Sequence, residues 1–314
     1  MAEIKKIATR EAYGKALAKF GAKYDIVVLD ADLSKSTKTD TFKKTFPERF
    51  INCGIAEASM MSTAAGLAAC GKTVFASSFA MFAAGRAFEQ VRNSICYPNL
   101  NVKIGATHAG ISVGEDGATH QAVEDIAIMR AIPGMSVISP ADAVEAEAAV
   151  EAAILHNGPV YLRFGRLAVP VINDETTYKF EWGKGVVLKD GTDVTIIANG
   201  LMVPEALKAH EILQSEGISA RIVNMHTIKP IDKELIIDSI KKTSAIVTAE
   251  EHNIIGGLGS AVAEVVCKNA PAPIEMVGIE DKFGKSGVPA KLLEEYGLTA
   301  ENIAKKAHDV LKRK

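Results

Sequence analysis

Neither sign of charge dominates this sequence. Its 314 residues carry 36 Lys and Arg against 38 Asp and Glu, a formal net charge of −2. Binding nucleic acid through a basic face needs a surplus of cations, so the balance argues against that class. Long apolar runs are missing too. No window reaches the roughly 18 uninterrupted apolar residues of a membrane-spanning helix, and the most apolar stretch, residues 54–70, contains Glu57. The opening MAEIKKIATREAYGKAL lacks the apolar core and small-residue cleavage pattern of a secretory signal. Four cysteines (Cys53, Cys70, Cys96 and Cys267) form no CxxC pair, which argues against a zinc site or a disulfide framework. Three of them lie in apolar runs and are expected to be buried as small hydrophobes. No GxxxxGKS/T phosphate loop occurs, and GGLGSAVAE at 256–264 is only half of a dinucleotide fingerprint, better read as close helix packing. The expectation is a cytoplasmic protein with neither nucleic acid nor membrane as a partner.

What is present is the profile of a globular protein, 48% hydrophobic and 24% charged. A disordered chain is more polar than this. At about 150 residues per domain the length suggests two domains. Continuous β-branched runs at 26–29, 50–53, 73–76, 102–106, 136–139 and 160–163 alternate with helical runs near 8–21, 55–70, 81–95, 121–131 and 141–156. Unbroken apolar strands belong to sheets covered on both faces, and the alternation implies a doubly wound, mostly parallel α/β sheet. From Arg166 to Gly191 the pattern breaks into polar and turn-forming residues. A second α/β set follows, with strands at 194–198, 220–223, 245–249 and 274–278. The expectation is two doubly wound α/β domains, a larger one over 1–180 and a smaller one over 181–314.

Several residues could carry chemistry. Glu57 lies in INCGIAEASMMSTAAGLAAC, where a strand leads into an apolar helix. It reads either as a first-turn acid favoured by the helix dipole or as a desolvated carboxyl suited to proton transfer. The run GATHAGISVGEDGATHQAVEDIA puts His108, Glu115, Asp116 and His120 between glycines directly after a strand. Such a loop suits an active site, and its spacing fits no metal motif. Phe79, Phe82 and Phe88 form an aromatic stripe that is core packing or, for one ring, a cofactor wall. Arg10, Arg163 and Arg166 sit near segment ends, and Ser36 lies in DADLSKSTKTD. Arginine matches phosphate with a bidentate fork, although most lone arginines are only solvated.

Taken in order, DADLSKST, GIAE before an Ala/Gly-rich helix, FAMF, THAGISVGEDGATHQ, RFGRLAVP and EEHNIIGGLGSAVAE resemble the C-terminal half of transketolase over nearly the whole chain. The resemblance implies a thiamine-diphosphate pyrimidine-binding domain followed by a transketolase C-terminal-like domain. It also implies transfer of a two-carbon ketol unit from a ketose phosphate to an aldose phosphate. Glu57 matches the catalytic glutamate that hydrogen-bonds the aminopyrimidine. Phe82 matches the ring packed on it, with Phe79, His120 and Asp32 as further cofactor neighbours. His108 and Asp116 match sugar-binding groups, and Arg10, Ser36 and Arg166 match a phosphate-binding trio.

The GDG motif and later Asn that hold magnesium or another divalent metal in thiamine enzymes are absent from this sequence. The resemblance therefore implies a split transketolase, with the diphosphate and metal held by an N-terminal partner subunit. The assembly expected is a two-fold heterotetramer. The rival readings are a 2-oxoacid dehydrogenase β subunit, a deoxyxylulose-phosphate-synthase-like enzyme and a non-catalytic paralogue. His108 and the arginines count against the first, because a 2-oxoacid needs no sugar-phosphate grip.

Overall fold

The computed structural model describes residues 5–314. The β-branched runs form two sheets. The larger has seven strands in the order Thr227–Lys229, Ser136–Ile138, Val160–Arg163, Val102–Thr107, Thr73–Phe79, Ile26–Asp30 and Phe50–Asn52. All of its pairings are parallel except at the first edge. The smaller runs Ile274–Ile279, Ile246–Asn253, Val194–Ala198, Ala220–Asn224 and Val186–Lys189, parallel but for its last strand. The central strands are buried along their whole length, as their unbroken apolar runs require. No helix among the described residues is long and apolar enough to cross a membrane.

Small residues let the layers close. The alanine-rich helix Ala143–Leu155 lies against the helix Thr9–Gly21 over one face of the larger sheet. Gly105, mid-strand, leaves room for the Tyr13 ring, since a Cβ there would lie 2.0 Å from the phenol oxygen. That phenol shares a 2.6 Å hydrogen bond with Ser77 on the next strand.

The structure departs from the sequence expectations in four places. The segment 166–191, read as a break, contains the strands Ala168–Pro170 and Val186–Lys189. The first pairs with Lys6–Ala8 and ties the two ends of the N-terminal α/β set together. Thr227–Lys229, late in the chain, adds an edge to the larger sheet, so the two α/β sets share a strand layer. Residues 81–95 are not a plain α-helix, because Met81–Arg86 and Val91–Cys96 are π-helical. Of the four cysteines only Cys96 is buried. Cys53 is half-buried, while Cys70 caps a helix and Cys267 is exposed on another.

Between the sheets lies a buried polar clasp. Arg163, at the end of its strand, donates Nε–H and Nη2–H to the two oxygens of Asp125 at 2.8 and 3.1 Å. It also donates to the carbonyls of Ala122 and Glu251. Tyr161 donates to the same Asp125 at 2.8 Å. Burial alone would raise the Asp125 pKa, but Arg163 outweighs it and holds the carboxyl below its ordinary value. Arg163, weighed from sequence as a ligand group, is therefore a structural cation. Breaking such a pair by removing one partner costs about 3–5 kcal/mol. Arg163→Met should lower the urea midpoint reported by Trp182, the single tryptophan, and adding Asp125→Asn should recover part of the loss. An unchanged midpoint in Arg163→Met would contradict the clasp.

Candidate functional site

The candidate residues gather along the carboxyl edge of the larger sheet, the ligand edge of an open α/β fold. Asp32 follows the strand Ile26–Asp30, Phe79 ends the strand Thr73–Phe79, and His108 follows Val102–Thr107. Arg166 follows Val160–Arg163, and Arg10 opens the helix Thr9–Gly21. Six non-glycine residues among those described have positive φ, and three of them (Asp32, Lys38 and His108) lie here. Backbone held in that region costs free energy and concentrates at functional sites.

His108 sits at the centre. Its ring stacks on Phe79 at 3.8 Å between centroids. Phe79 stacks in turn on Phe82 at 5.9 Å, and His120 meets Phe82 edge-on at 5.3 Å. Arg10 donates Nη1–H to the Ser36 carbonyl at 2.8 Å and lies 3.0 Å from His108 Nε2. A guanidinium can only donate, so Nε2 accepts and the ring proton sits on Nδ1, which donates to Thr107 Oγ1 at 2.9 Å. Burial, then the charges of Arg10 and Arg166, push the His108 pKa down to about 3. The imidazole is thus a neutral group with one fixed tautomer.

Arg166 hydrogen-bonds the Val113 carbonyl and lies 3.4 Å from Glu115 and 3.8 Å from Asp116. This brings it onto the Gly-rich loop that carries Asp116 and His120. Gln121 staples that loop, donating to the carbonyls of Ile111, Gly114 and Lys285. From the smaller sheet, Glu251 accepts the Ser112 N–H at 2.7 Å, and Gly110 leaves no space beside its carboxylate, since a Cβ would lie 2.2 Å away. Burial raises the Glu251 carboxyl to about 7, against the pull of Arg163.

Glu57 opens the helix Glu57–Ala69 and is 1% exposed. Its Oε2 accepts Nη1–H from Arg86 at 2.9 Å, and that guanidinium lies over the Phe82 ring at 4.6 Å. Arg10, Ser36, Phe79, Phe82, His108 and His120 therefore form one contact chain with Glu57 joined through Arg86, while Arg166 and Asp116 form a separate pair whose Arg166 acts on Arg10 and His108 through charge. Asp32 stands apart, with its carboxylate on Asn52 Nδ2 at 2.8 Å. Ser36 takes part through its backbone carbonyl.

Sequence reasoning missed four groups. Asp30 is fully buried and accepts from Leu33 N–H, Thr37 and Thr39, which shapes the loop bearing Asp32 and Ser36. Lys38 adds positive charge near His108. Arg86 and Glu251 are the others. Of these only Arg86 left a signal, a lone cation four residues after Phe82 in an apolar run.

Residues 5–171 match the transketolase pyrimidine-binding domain, and residues 183–303 match the transketolase C-terminal domain. The chain belongs to the transketolase family. A solved split-gene transketolase, an inactive β4 tetramer, is 55% identical, with a TM-score of 0.90 over 98% of this chain and 99% of its own. The 6-deoxy-6-sulfo-D-fructose transketolase subunit SqwH of Clostridium sp. (strain MSTE9) is 45% identical over 97% of this chain and 95% of its own length. Human transketolase is 40% identical over 95% of this chain but only 48% of its own. Transketolases depend on thiamine diphosphate, which the pyrimidine-binding domain binds.

The neutral state of His108 is directly measurable. Its ring resonances should show no titration between pH 5 and 8, with the proton on Nδ1 throughout. A midpoint near the ordinary histidine value of about 6.5 would contradict the assignment.

Proposed function

We propose that this chain is the pyrimidine-side subunit of a split transketolase, moving a ketol unit between sugar phosphates together with a partner chain. The observation that carries this reading is Glu57, a buried carboxylate whose Arg86 partner also lies over the half-buried Phe82 ring. The Arg86 guanidinium shows what that place accepts, a flat group that donates N–H to Glu57 while lying on an aromatic ring. The aminopyrimidine of thiamine diphosphate is likewise flat, and its ring nitrogen would meet Glu57 across one shared proton where the guanidinium donates outright. The residues present fit the cofactor's pyrimidine end. No group of three or more His, Cys, Asp or Glu able to hold a metal occurs among the described residues. We assign the diphosphate and its magnesium or other divalent metal to a partner with a GDG motif and a later Asn, in a two-fold assembly of two copies of each chain.

When bound, thiamine diphosphate supplies the carbon nucleophile for the ketol group. Glu57 would share a proton with the pyrimidine ring nitrogen. Its burial makes that hydrogen bond strong and keeps water from competing for it. Phe82 would pack on the ring, Phe79 and His120 would complete the wall, and Asp32 would lie at its margin. His108, held neutral, would offer Nε2 toward the sugar hydroxyls, or its Arg10 partner toward the phosphate. Asp116 would accept from a hydroxyl beside the reacting carbon.

At the far end, Arg10 and Arg166 suit a phosphate dianion, with Ser36 beside them. A phosphate would there replace Glu115 as the anion on Arg166. Anchoring this end fixes the reacting end, which is how remote binding energy becomes rate.

The full-length relatives and the SqwH subunit support the reading from two sides, since both carry transketolase names and only the second has this chain's length. The test is reconstitution. Mixed with the partner, the chain should transfer ketol units from xylulose 5-phosphate to an aldose phosphate, and alone it should not. Glu57→Gln should assemble normally and lose about 100-fold or more in kcat. Undiminished transfer by Glu57→Gln would refute the assignment.

A further inference from the structure

Arg86 has a geometry that the roles proposed for its neighbours do not use. It touches the two groups that the aminopyrimidine would need, the Glu57 carboxylate at 2.9 Å and the Phe82 face at 4.6 Å. Both contacts come from one guanidinium, which is planar, delocalised and donates in its own plane while stacking through its face. The two partners differ sharply in exposure, 1% for the Glu57 side chain and 53% for Arg86. The pair is a buried anion closed by a cation that reaches in from solvent. Glu57 favours such a partner, because a buried carboxylate without one is destabilising. The local backbone serves the same contact. Met81–Arg86 is π-helical, and this wide turn carries Phe82 and Arg86 together.

We infer that Arg86 is a resident substitute for the aminopyrimidine. It neutralises Glu57 and covers Phe82 in the cofactor-free chain, and it swings into solvent when the ring takes its place. The inference rests on the thiamine reading of this site. Because Arg86 leaves with its charge and the free ring is neutral, the exchange takes up one proton from solvent, which Glu57 and the ring nitrogen then share. Glu57 gives up the Arg86 hydrogen bond and gains one shared with the ring nitrogen, so the buried carboxylate is never unpartnered. Arg86 then opposes cofactor binding, which is the reverse of what a cofactor ligand does. Its half-exposed side chain already has a path outward.

The test is calorimetric titration of thiamine diphosphate with magnesium into the complex of this chain with its partner. Arg86→Ala should tighten binding about tenfold, since the occupied conformation no longer competes. Arg86→Lys, which keeps the charge and loses the planar stack, should fall between Ala and wild type. Unchanged or weaker binding in Arg86→Ala overturns the inference. A second readout uses the full chain alone. The Arg86 Nε–H should give an ordered NMR signal that Glu57→Gln abolishes, and its persistence in Glu57→Gln overturns the inference as well. If the wild-type complex takes up no thiamine diphosphate, the thiamine reading itself fails. Wild-type uptake without tightening in Arg86→Ala sinks the substitute role alone.

Discussion

The site depends on one buried guanidinium that is not part of it. Arg163 gathers Asp125, the Ala122 carbonyl and the Glu251 carbonyl into the seam between the two sheets. Asp125 begins the helix after the Gly-rich loop, and Glu251 holds the Ser112 N–H within it. The loop is thus anchored at its middle by the smaller sheet and at its end by the larger one. Three positive-φ glycines, Gly110, Gly114 and Gly117, let it turn tightly enough to fill the seam. The C-terminal part reaches the site through Glu251 and backs the loop that carries Asp116 and His120.

Within the site, charge is sorted by position. Arg10, Arg166 and Lys38 crowd one end, and their field together with burial keeps His108 neutral. Crowding also lowers the pKa of Arg10, chiefly through burial with Arg166 adding to it, while Glu11 opposes. That end is unfavourable for cations and ready for an anion. The other end holds a single buried carboxylate, Glu57, walled by Phe82. On the proposed reading, a sugar phosphate would set its phosphate at the cationic end and its reacting carbon toward the Glu57 end. The aromatic and histidine rings between them supply a flat apolar wall.

How much of this was legible in the sequence follows from what each feature depends on. Strands such as 102–107 and 160–163 are apolar throughout because both faces are buried, so their composition reveals them. Glu57, His108 and Arg166 stand at strand ends beside glycines or apolar helices, and order along the chain was enough to single them out. By residue type and position Arg163 and Arg166 read alike, and only the family resemblance favours Arg166 as the phosphate group. Only the fold shows that one faces Asp125 in the seam and the other the Gly-rich loop. Short strands such as Thr227–Lys229 and Ala168–Pro170 exist through distant pairing and have no local pattern to read. Asp30 and Glu251 act on backbone N–H groups brought near by folding. Arg86 left only its four-residue spacing from Phe82, and nothing local in the sequence shows that the Glu57 carboxylate folds within its reach.

On the proposed reading this chain would present one wall of a thiamine site and a second polypeptide would supply the other. Binding stoichiometry tests it most directly. Thiamine diphosphate with magnesium is titrated against this chain alone, the GDG-bearing partner alone, and the two combined. The account predicts saturable binding of one cofactor per copy of this chain in the combined sample, with far weaker binding by either chain alone. Full-affinity, one-to-one binding by this chain alone would contradict it.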